Sequence, residues 1–375
     1  MNFIMQKKSF FILVLYGLIT IYGYSRKIPS IVAHQGCWIG SEIPENSLPA
    51  IAAAKQFGYK AVECDVQYTA DSVMVILHDA TLNRTMRRRK GYSVIEEPVK
   101  LKDITFHKLR SDFVLASEHS LHRTQIPSLE EFLYACRAYE ITPMLDSEIP
   151  ESFILAQKIM GNNWICFVSY DSLAIEVRKF SDCLILLDPG GNTDNIIERL
   201  EAIGGHCGIS SMNRHILSKE LCEKLRERSY EVQASIFESP HEIEARKNGV
   251  SIILTDFAIY PENEQALDNW NLTALPADKD HRNFLNGKSK TLILKPSEEI
   301  IRVWDKPIDY GAIKLNIRFK GTLDIYINDR HYAFSHSSEE DDEIGIRFAH
   351  DTPKLRFSAS EVTEISNLDV RIFSF

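Results

Sequence analysis

Two carboxylates and an imidazole are brought together by the run AVECDVQYTADSVMVILHD, residues 61–79. Side chains two apart on a strand share a face, so Glu63 and Asp65 point one way and Cys64 the other. Only Thr69, Ala70, Asp71 and Ser72 separate the two β-type runs. A parallel crossover needs about a dozen residues or more, so the runs must form an antiparallel hairpin. Folding it about Asp71 returns His78 to the level of Asp65. Carboxylates that close repel unless something positive lies between them. Their oxygens suit a hard cation, Ca2+ or Mg2+, better than zinc. A solvated strand face is the bland reading, but Val62, Val66, Val73, Val75, Ile76 and Leu77 make both runs too apolar for it, and carboxylates are seldom buried unpaired.

The elements that must hold this hairpin follow from the rhythm of the chain. A strand at 30–33 ends in His34-Gln35-Gly36. A helix at 50–57 follows, capped by Asn46 or Ser47 and stopped by Gly58. Residues 80–125 are charged and poorly periodic, and read as an insertion or an extended active-site loop. From residue 126, helices at 129–139, 151–160, 172–180, 194–203, 219–227 and 240–248 precede strands at 141–145, 164–169, 183–187, 207–211, 230–236 and 250–254. Short continuous apolar runs are the mark of buried parallel strands, and the alternation specifies an α/β fold. Nine strands less the hairpin return leave eight, which predicts a closed (β/α)8 TIM-type barrel over 28–262. A doubly wound sheet is the alternative, but no GxGxxG loop supports it.

Beyond a polar linker the helices give way to short alternating strands at 291–294, 300–304, 312–319, 322–327, 331–334, 344–348, 355–358 and 368–373. Turn signals at Lys320-Gly321 and Asn328-Asp329 separate several of them. This predicts a C-terminal all-β sandwich over 283–375. The acidic run 339–343 reads as a solvated loop.

Of the 375 residues, 44% are hydrophobic and 25% charged, which is ordinary for a globular protein. The net charge of -9 argues against nucleic-acid binding. Residues 1–25 read as a secretory signal: Lys7 and Lys8 precede an apolar run at 10–24. That run is short against the roughly 20 residues of a membrane span, although an uncleaved N-terminal anchor is the alternative. The expected location is exported, periplasmic or extracellular. Seven cysteines occur singly, without a CxxC pair, so zinc and redox motifs are absent. Cys64, Cys136, Cys166 and Cys183 sit in apolar runs and read as small core residues.

Barrel enzymes carry their catalytic groups at the C-terminal ends of the strands. That rule places His34, Glu63, Asp65, the hairpin's His78, and the pair Asp146 and Glu148 on one rim. Two histidines and three or four carboxylates on one face make a constellation for metal binding and acid–base work.

The segment VAHQGCWIGSEIPENSLPAIAAAKQFGYKAVECDVQYTADSVMVILHDATLNRT resembles the glycerophosphodiester phosphodiesterase family, through the ordered motifs HxG, PEN, ExD, HD and LxRT. IPSLEEFL, FVSYDSL and GVSIILTD extend the resemblance over roughly residues 28–261. It implies a divalent metal held by Glu63 and Asp65, with Asp146 where the family usually has Glu. It implies His34 and His78 as general acid and base. The implied reaction cleaves a glycerophosphodiester to glycerol phosphate and an alcohol, with the substrate's own glycerol hydroxyl a candidate first nucleophile.

Two departures stand out. Gln35 replaces the family's usual Arg and Glu148 its usual Lys, so positive charge facing a phosphate is lost at two candidate substrate-binding positions. A WT-type element is also missing, since residues 232–237 read VQASIF. Three readings follow: Glu148 joins the metal shell, the substrate is unusual, or the protein binds without turnover. The favoured expectation is an exported metal-dependent phosphodiesterase acting on a small glycerophosphodiester or lipid-derived substrate. A catalytically weakened binding protein, or a phospholipase D-like lyase releasing a cyclic phosphate, is the alternative. The sequence names no partner for the sandwich.

Overall fold

Eight parallel strands close on themselves in the computed structural model. They are β1 (Ile31–Ala33), β2 (Ala61–Tyr68), then, after the hairpin return β3 (Met74–Ile76) and an excursion bearing β4 (Met86–Arg88) and β5 (Phe113–Leu115), β6 (Thr142–Asp146), β7 (Ile165–Val168), β8 (Leu184–Leu187), β9 (Cys207–Ser211), β10 (Glu231–Ile236) and β11 (Ile252–Thr255). Their order is β1-β11-β10-β9-β8-β7-β6-β2, and β2 closes the ring by pairing Ala61 with Val32 and Val62 with Ala33. β3 lies antiparallel on the outer half of β2, with Val66 opposite Ile76. The expected TIM-type barrel with one extra hairpin strand is therefore the observed one. The structure describes residues 30–375 except 41, 191, 212–216, 237–247, 257–267, 270–272, 276–278, 286–287, 305–306, 329, 337–341 and 375. The signal-type run at 1–25, nearly all of the helix expected at 240–248 and most of the acidic run at 339–343 lie outside the described residues.

Strand alternation sorts each β2 side chain. Val62, Cys64 and Val66 join the layer between strands and helices, with Phe132, Leu133, Cys136 and Leu145. The alternate residues, Glu63 and Asp65, face the barrel interior. Ser47 starts the helix Leu48–Gln56 by accepting a hydrogen bond from Ala50 N. Ser128 and Glu131 form a capping box at the start of the helix Leu129–Tyr139. All seven cysteines are buried and free.

Residues 80–125 are more than a loop. Leu82, Met86, Ile95, Leu101, Ile104, Leu109, Phe113 and Leu115 form a core of their own, with Val75 and Leu77 of the hairpin. The β4–β5 ribbon and the helix Phe106–Asp112 frame it. Its apolar residues come from short pieces of different geometry, which is why no single period shows in the sequence.

A short helix, Lys279–Leu285, lies within what the sequence suggested was plain linker. The C-terminal strands are β12 (Asp268–Asn269), β13 (Thr273–Leu275), β14 (Leu292–Leu294), β15 (Glu299–Val303), β16 (Ile308–Ile327), β17 (Arg330–His336), β18 (Asp342–Asp351), β19 (Lys354–Ser358) and β20 (Thr363–Ser374). All their pairings are antiparallel. The two strands expected at 312–319 and 322–327 are one strand, β16. Its first part pairs β18 and β20, and its last part pairs β17 and β19. The register breaks between Arg318 and Phe319, and Gly321 takes φ +123. The Lys320-Gly321 signal thus marks a bend that carries one strand from sheet to sheet rather than a hairpin turn. The two sheets enclose one core, including Leu294, Ile313 and Ile365 from one side and Ile300, Ile325 and Phe357 from the other.

Sandwich and barrel share apolar surface. Ala312 and Ala349 belong to the barrel's core cluster, Tyr310 packs against it, and the Tyr310 ring meets Phe57 edge-on at 6.0 Å.

Candidate active site

Ligand oxygens of Glu63, Asp65 and Asp146 all lie within 4.8 Å of one another. Register explains it: Asp65 is the direct neighbour of Asp146, the last pair of the parallel β2–β6 register and the C-terminal residue of β6. Glu63 sits two residues deeper and is 3% exposed. Burial, then the charges of Asp65 and Asp146, drive the Glu63 carboxyl well above its ordinary range, against a lowering hydrogen bond from the Gln35 N–H. Burial, with Asp65 and Glu148, pushes Asp146 up to about 7. Three oxygen donors held this close in low dielectric are poorly stable as bare anions and well matched to a hard divalent cation. The donor set therefore fits the cation that the sequence implied.

The two histidines are oriented alike. His34 Nδ1 lies 2.9 Å from Asp256 Oδ1, and His78 Nδ1 lies 2.9 Å from Asp79 Oδ1. A carboxylate only accepts, so each ring carries its proton on Nδ1 and presents Nε2 as the working nitrogen. Burial is the largest influence on His78 and lowers its pKa. The Asp79 hydrogen bond and the charges of Asp65, Asp79 and Glu45 outweigh it, and the net shift is upward.

The loops that aim these groups are strained. Gln35 and Asn46 both take φ +52, a left-handed conformation that costs a non-glycine residue energy. The strain turns Gln35 N onto Glu63 Oε2 at 2.8 Å. Asn46 Nδ2 donates to Asp65 Oδ2 at 2.7 Å, and its backbone N donates to Gln35 O at 2.8 Å. At Gly36 a Cβ would lie 2.7 Å from Ala50 Cβ, so the HxG glycine is required by contact as well as by its φ of +77.

Gln35 is buried and its amide donates to Asp65 Oδ2 at 3.1 Å. The side chain in the usual arginine position is thus directed at a carboxylate of the triad. Glu148 is exposed, lies outside the triad, and accepts from Ser169 N at 2.8 Å. Its charge nonetheless contributes to raising the Asp146 carboxyl.

Several contributors carried no role in the sequence. Asp256 closes the GVSIILTD run but is separated from His34 by 222 positions. Arg84, the arginine of LxRT, clamps Asp79 (Nε–Oδ2 2.7 Å) and Glu45 of PEN (Nη1–Oε2 2.6 Å). That clamp comes first among the causes that lower Asp79 to about 2. Gln67 Nε2 donates to the carbonyls of Leu77, His78 and Asp79, tying the HD pair to β2. Gln233 and Ser235 alternate with core-facing Val232 and Ala234 and so face the barrel interior. Gln233 Oε1, Ser235 Oγ and the Oγ of Ser210, which pairs with Gln233 across β9 and β10, are buried without a hydrogen-bond partner among the described residues. Motif order marked Arg84, Asn46 and, through GVSIILTD, Asp256; nothing local marked the others. A cavity of about 320 Å³ between the PEN loop and the 80–125 excursion is lined by Glu45, Arg84, Arg87, Tyr92 and Glu118.

Residues 34–158 match the Glycerophosphoryl diester phosphodiesterase family. The chain is 35% identical over 120 residues to glycerophosphodiester phosphodiesterase 1 of Bos taurus, covering 31% of this chain and 33% of that protein. The match thus spans about a third of that curated relative. An uncharacterized protein of Bacillus subtilis is 25% identical over 266 residues, covering 63% of this chain and 97% of its own. Among solved structures, a phosphodiesterase of Oleispira antarctica in complex with the product sn-glycerol-3-phosphate superposes with a TM-score of 0.50 at 20% identity, over 61% of this chain and 93% of that one. At that identity the likeness concerns the fold.

Proposed function

We propose, from a barrel whose residues 34–158 belong to the glycerophosphoryl diester phosphodiesterase family, that this protein is a metal-dependent hydrolase of small glycerophosphodiesters. The observation that carries the reading is the carboxylate triad with two carboxylate-oriented imidazoles around one barrel mouth.

Glu63, Asp65 and Asp146 would hold the divalent cation, Ca2+ or Mg2+. When bound, it supplies positive charge that polarises the phosphate and stabilises charge in the transition state. His34 Nε2 accepts a proton from the attacking water, whose oxygen forms the new P–O bond as the bond to the alcohol breaks, while Asp256 steadies the imidazolium that forms. His78, whose pKa is raised, holds a proton on Nε2 and gives it to the leaving alcohol oxygen. Ser210, Gln233 and Ser235 offer buried polar atoms for the hydroxyls of a glycerol moiety. The cavity beside Arg84 offers room for the leaving alcohol. Gln35 and Glu148 bring no positive charge, so binding of the phosphate depends on the cation more than in a site with Arg and Lys at those positions.

The test is a panel of glycerophosphocholine, glycerophosphoethanolamine and lysophospholipids, run with Ca2+, with Mg2+ and with chelator, with products read by phosphorus NMR. Glycerol phosphate formed only with metal is the expected outcome. A cyclic phosphate would instead make the protein a lyase. Metal binding without turnover of any phosphodiester would make it a binding protein. Export belongs to the same proposal and rests on the apolar run at 10–24 alone; N-terminal sequencing of the protein recovered outside the cytoplasm checks it.

A further inference from the structure

We propose that Arg347, delivered by the C-terminal sandwich, is a positioning residue for His34: it fixes Trp38, and through Trp38 the Asp256 carboxylate that orients the His34 ring. The proposal deepens the reading above, since it rests on His34 as the proton-accepting group.

β18 alternates between two environments. Ile346 and Phe348 lie in the sandwich core, whereas Ala349 joins the core of the barrel and Arg347 shares its face. Arg347 is 5% exposed. Its Nη1 donates to Cys37 Sγ at 3.2 Å and to Tyr59 Oη at 3.3 Å. Its guanidinium carbon lies 6.0 Å from the centre of the Trp38 ring and 5.8 Å from that of Tyr59. Trp38 Nε1 in turn donates to Asp256 Oδ1 at 2.9 Å. That is the same oxygen met by His34 Nδ1. Three steps thus join a strand of the sandwich to the imidazole at the barrel mouth.

A cation is a poor choice for packing alone. Among the described residues no carboxylate lies within ion-pair distance of Arg347. Removing a charge from water costs several kcal/mol unless partners compensate it, and an apolar side chain would fill the space beside Ala312, Ala349 and Tyr310 at lower cost. Burial works to discharge Arg347, yet the electrostatics of Cys37, Tyr59 and Asp256 hold its pKa above the ordinary value. Burial also pushes the Cys37 thiol and the Tyr59 phenol upward, and the guanidinium opposes that rise at both. Asp256 is the group through which this cluster reaches His34, by way of the Trp38 Nε1–H. Cys37 and Trp38 directly follow His34-Gln35-Gly36, so a guanidinium that grips both also restrains the loop bearing the histidine.

The decisive measurement uses the full chain labelled with 15N-histidine, the ring signals being assigned by their loss in His34→Gln and His78→Gln. In Arg347→Met the His34 ring nitrogens are expected to shift while those of His78 stay in place, and Arg347→Lys is expected to restore the His34 shifts at least in part. Unchanged His34 signals in Arg347→Met overturn the proposal. This readout needs no turnover, so it stands even where the phosphodiesterase reading fails on the substrate panel. With glycerophosphocholine as substrate, Arg347→Met should lower kcat by about tenfold or more with KM nearly unchanged, and should cost little further in a Trp38→Phe background. Additive losses in the double variant would sever the route through Trp38 and overturn the proposal. Thermal melts identify a variant that has failed to fold. In that event the Arg347→Lys and Trp38→Phe comparison carries the test: His34 signals displaced by Trp38→Phe and kept by Arg347→Lys support it, and signals unmoved by Trp38→Phe overturn it.

Discussion

His34 and His78 have the same Nδ1–carboxylate distance but different surroundings. The His34 side chain is 21% exposed and its Asp256 partner 19%, and Asp256 is backed by Trp38 and the buried Arg347. The His78 side chain is 53% exposed, and its Asp79 partner is clamped by Arg84, itself 53% exposed. One imidazole is set by packing between two sheets' worth of structure. The other is set by an ionic clamp near the surface. Low dielectric and side-chain packing make the first arm rigid and insensitive to solvent, whereas water and salt reach the second. In the proposed reaction, a less exposed imidazole would accept a proton and a more exposed one would release it to the departing alcohol, a workable division of labour.

The largest expected effects break the shared part of the two arms. Asp65→Ala should abolish both turnover and calcium or magnesium binding, the latter read by calorimetry; retained ion affinity would remove Asp65 from the ligand set. His34→Ala and His78→Ala should each lower kcat by about 10²–10⁴-fold with little change in ion affinity. If one of them left kcat at the wild-type level, the symmetry of the two arms would be only geometric.

Smaller effects separate the arms. Arg84→Met should reduce kcat by about 10-fold, within the range expected when an oriented group loses its support, and raising the salt to 1 M should mimic part of that loss in the wild type. Asp256→Asn should be equally or more damaging, and its loss should not change with salt. A salt response common to both variants would erase the distinction between buried and exposed support.

The smallest effect is on stability. Asp79 stands at about 2 in the folded protein against an ordinary 3.8, with Arg84 first among the causes. A depressed carboxyl pKa stabilises the fold above the unfolded value and loses that contribution as pH falls. The Asp79 contribution, about 2 kcal/mol at most, should therefore be complete above pH 4 and vanish between about pH 4 and pH 2. Asp79→Asn should flatten this part of the pH–stability curve measured by denaturant melts. An unchanged curve would show that the clamp orients His78 without stabilising the fold.

The barrel and half of the site were legible in the order of residues because they are local. Apolar runs alternating with helices specify parallel strands, and period-two spacing puts Glu63 and Asp65 on one face. A four-residue turn admits only a hairpin, which places His78. The sandwich was legible as a class, but the one-strand identity of residues 308–327 was not, since a bend and a turn share the signal Lys320-Gly321. The core of residues 80–125 was hidden for a related reason: its apolar side chains converge from pieces with no common period.

The sequence by itself thus determined which groups can do chemistry and the scaffold that gathers them. Only the tertiary structure decided who holds them in place. Asp256 meets His34 because β11 closes the ring beside β1, Arg84 meets Asp79 and Glu45 because the excursion folds back over the mouth, and Arg347 meets Trp38 because β18 lies against the barrel. Arg84 and Asp79 are only five positions apart, but the other contacts join residues far apart in the chain, and long-range contacts are set by three-dimensional closure and packing, which leave no periodic trace in the residues themselves.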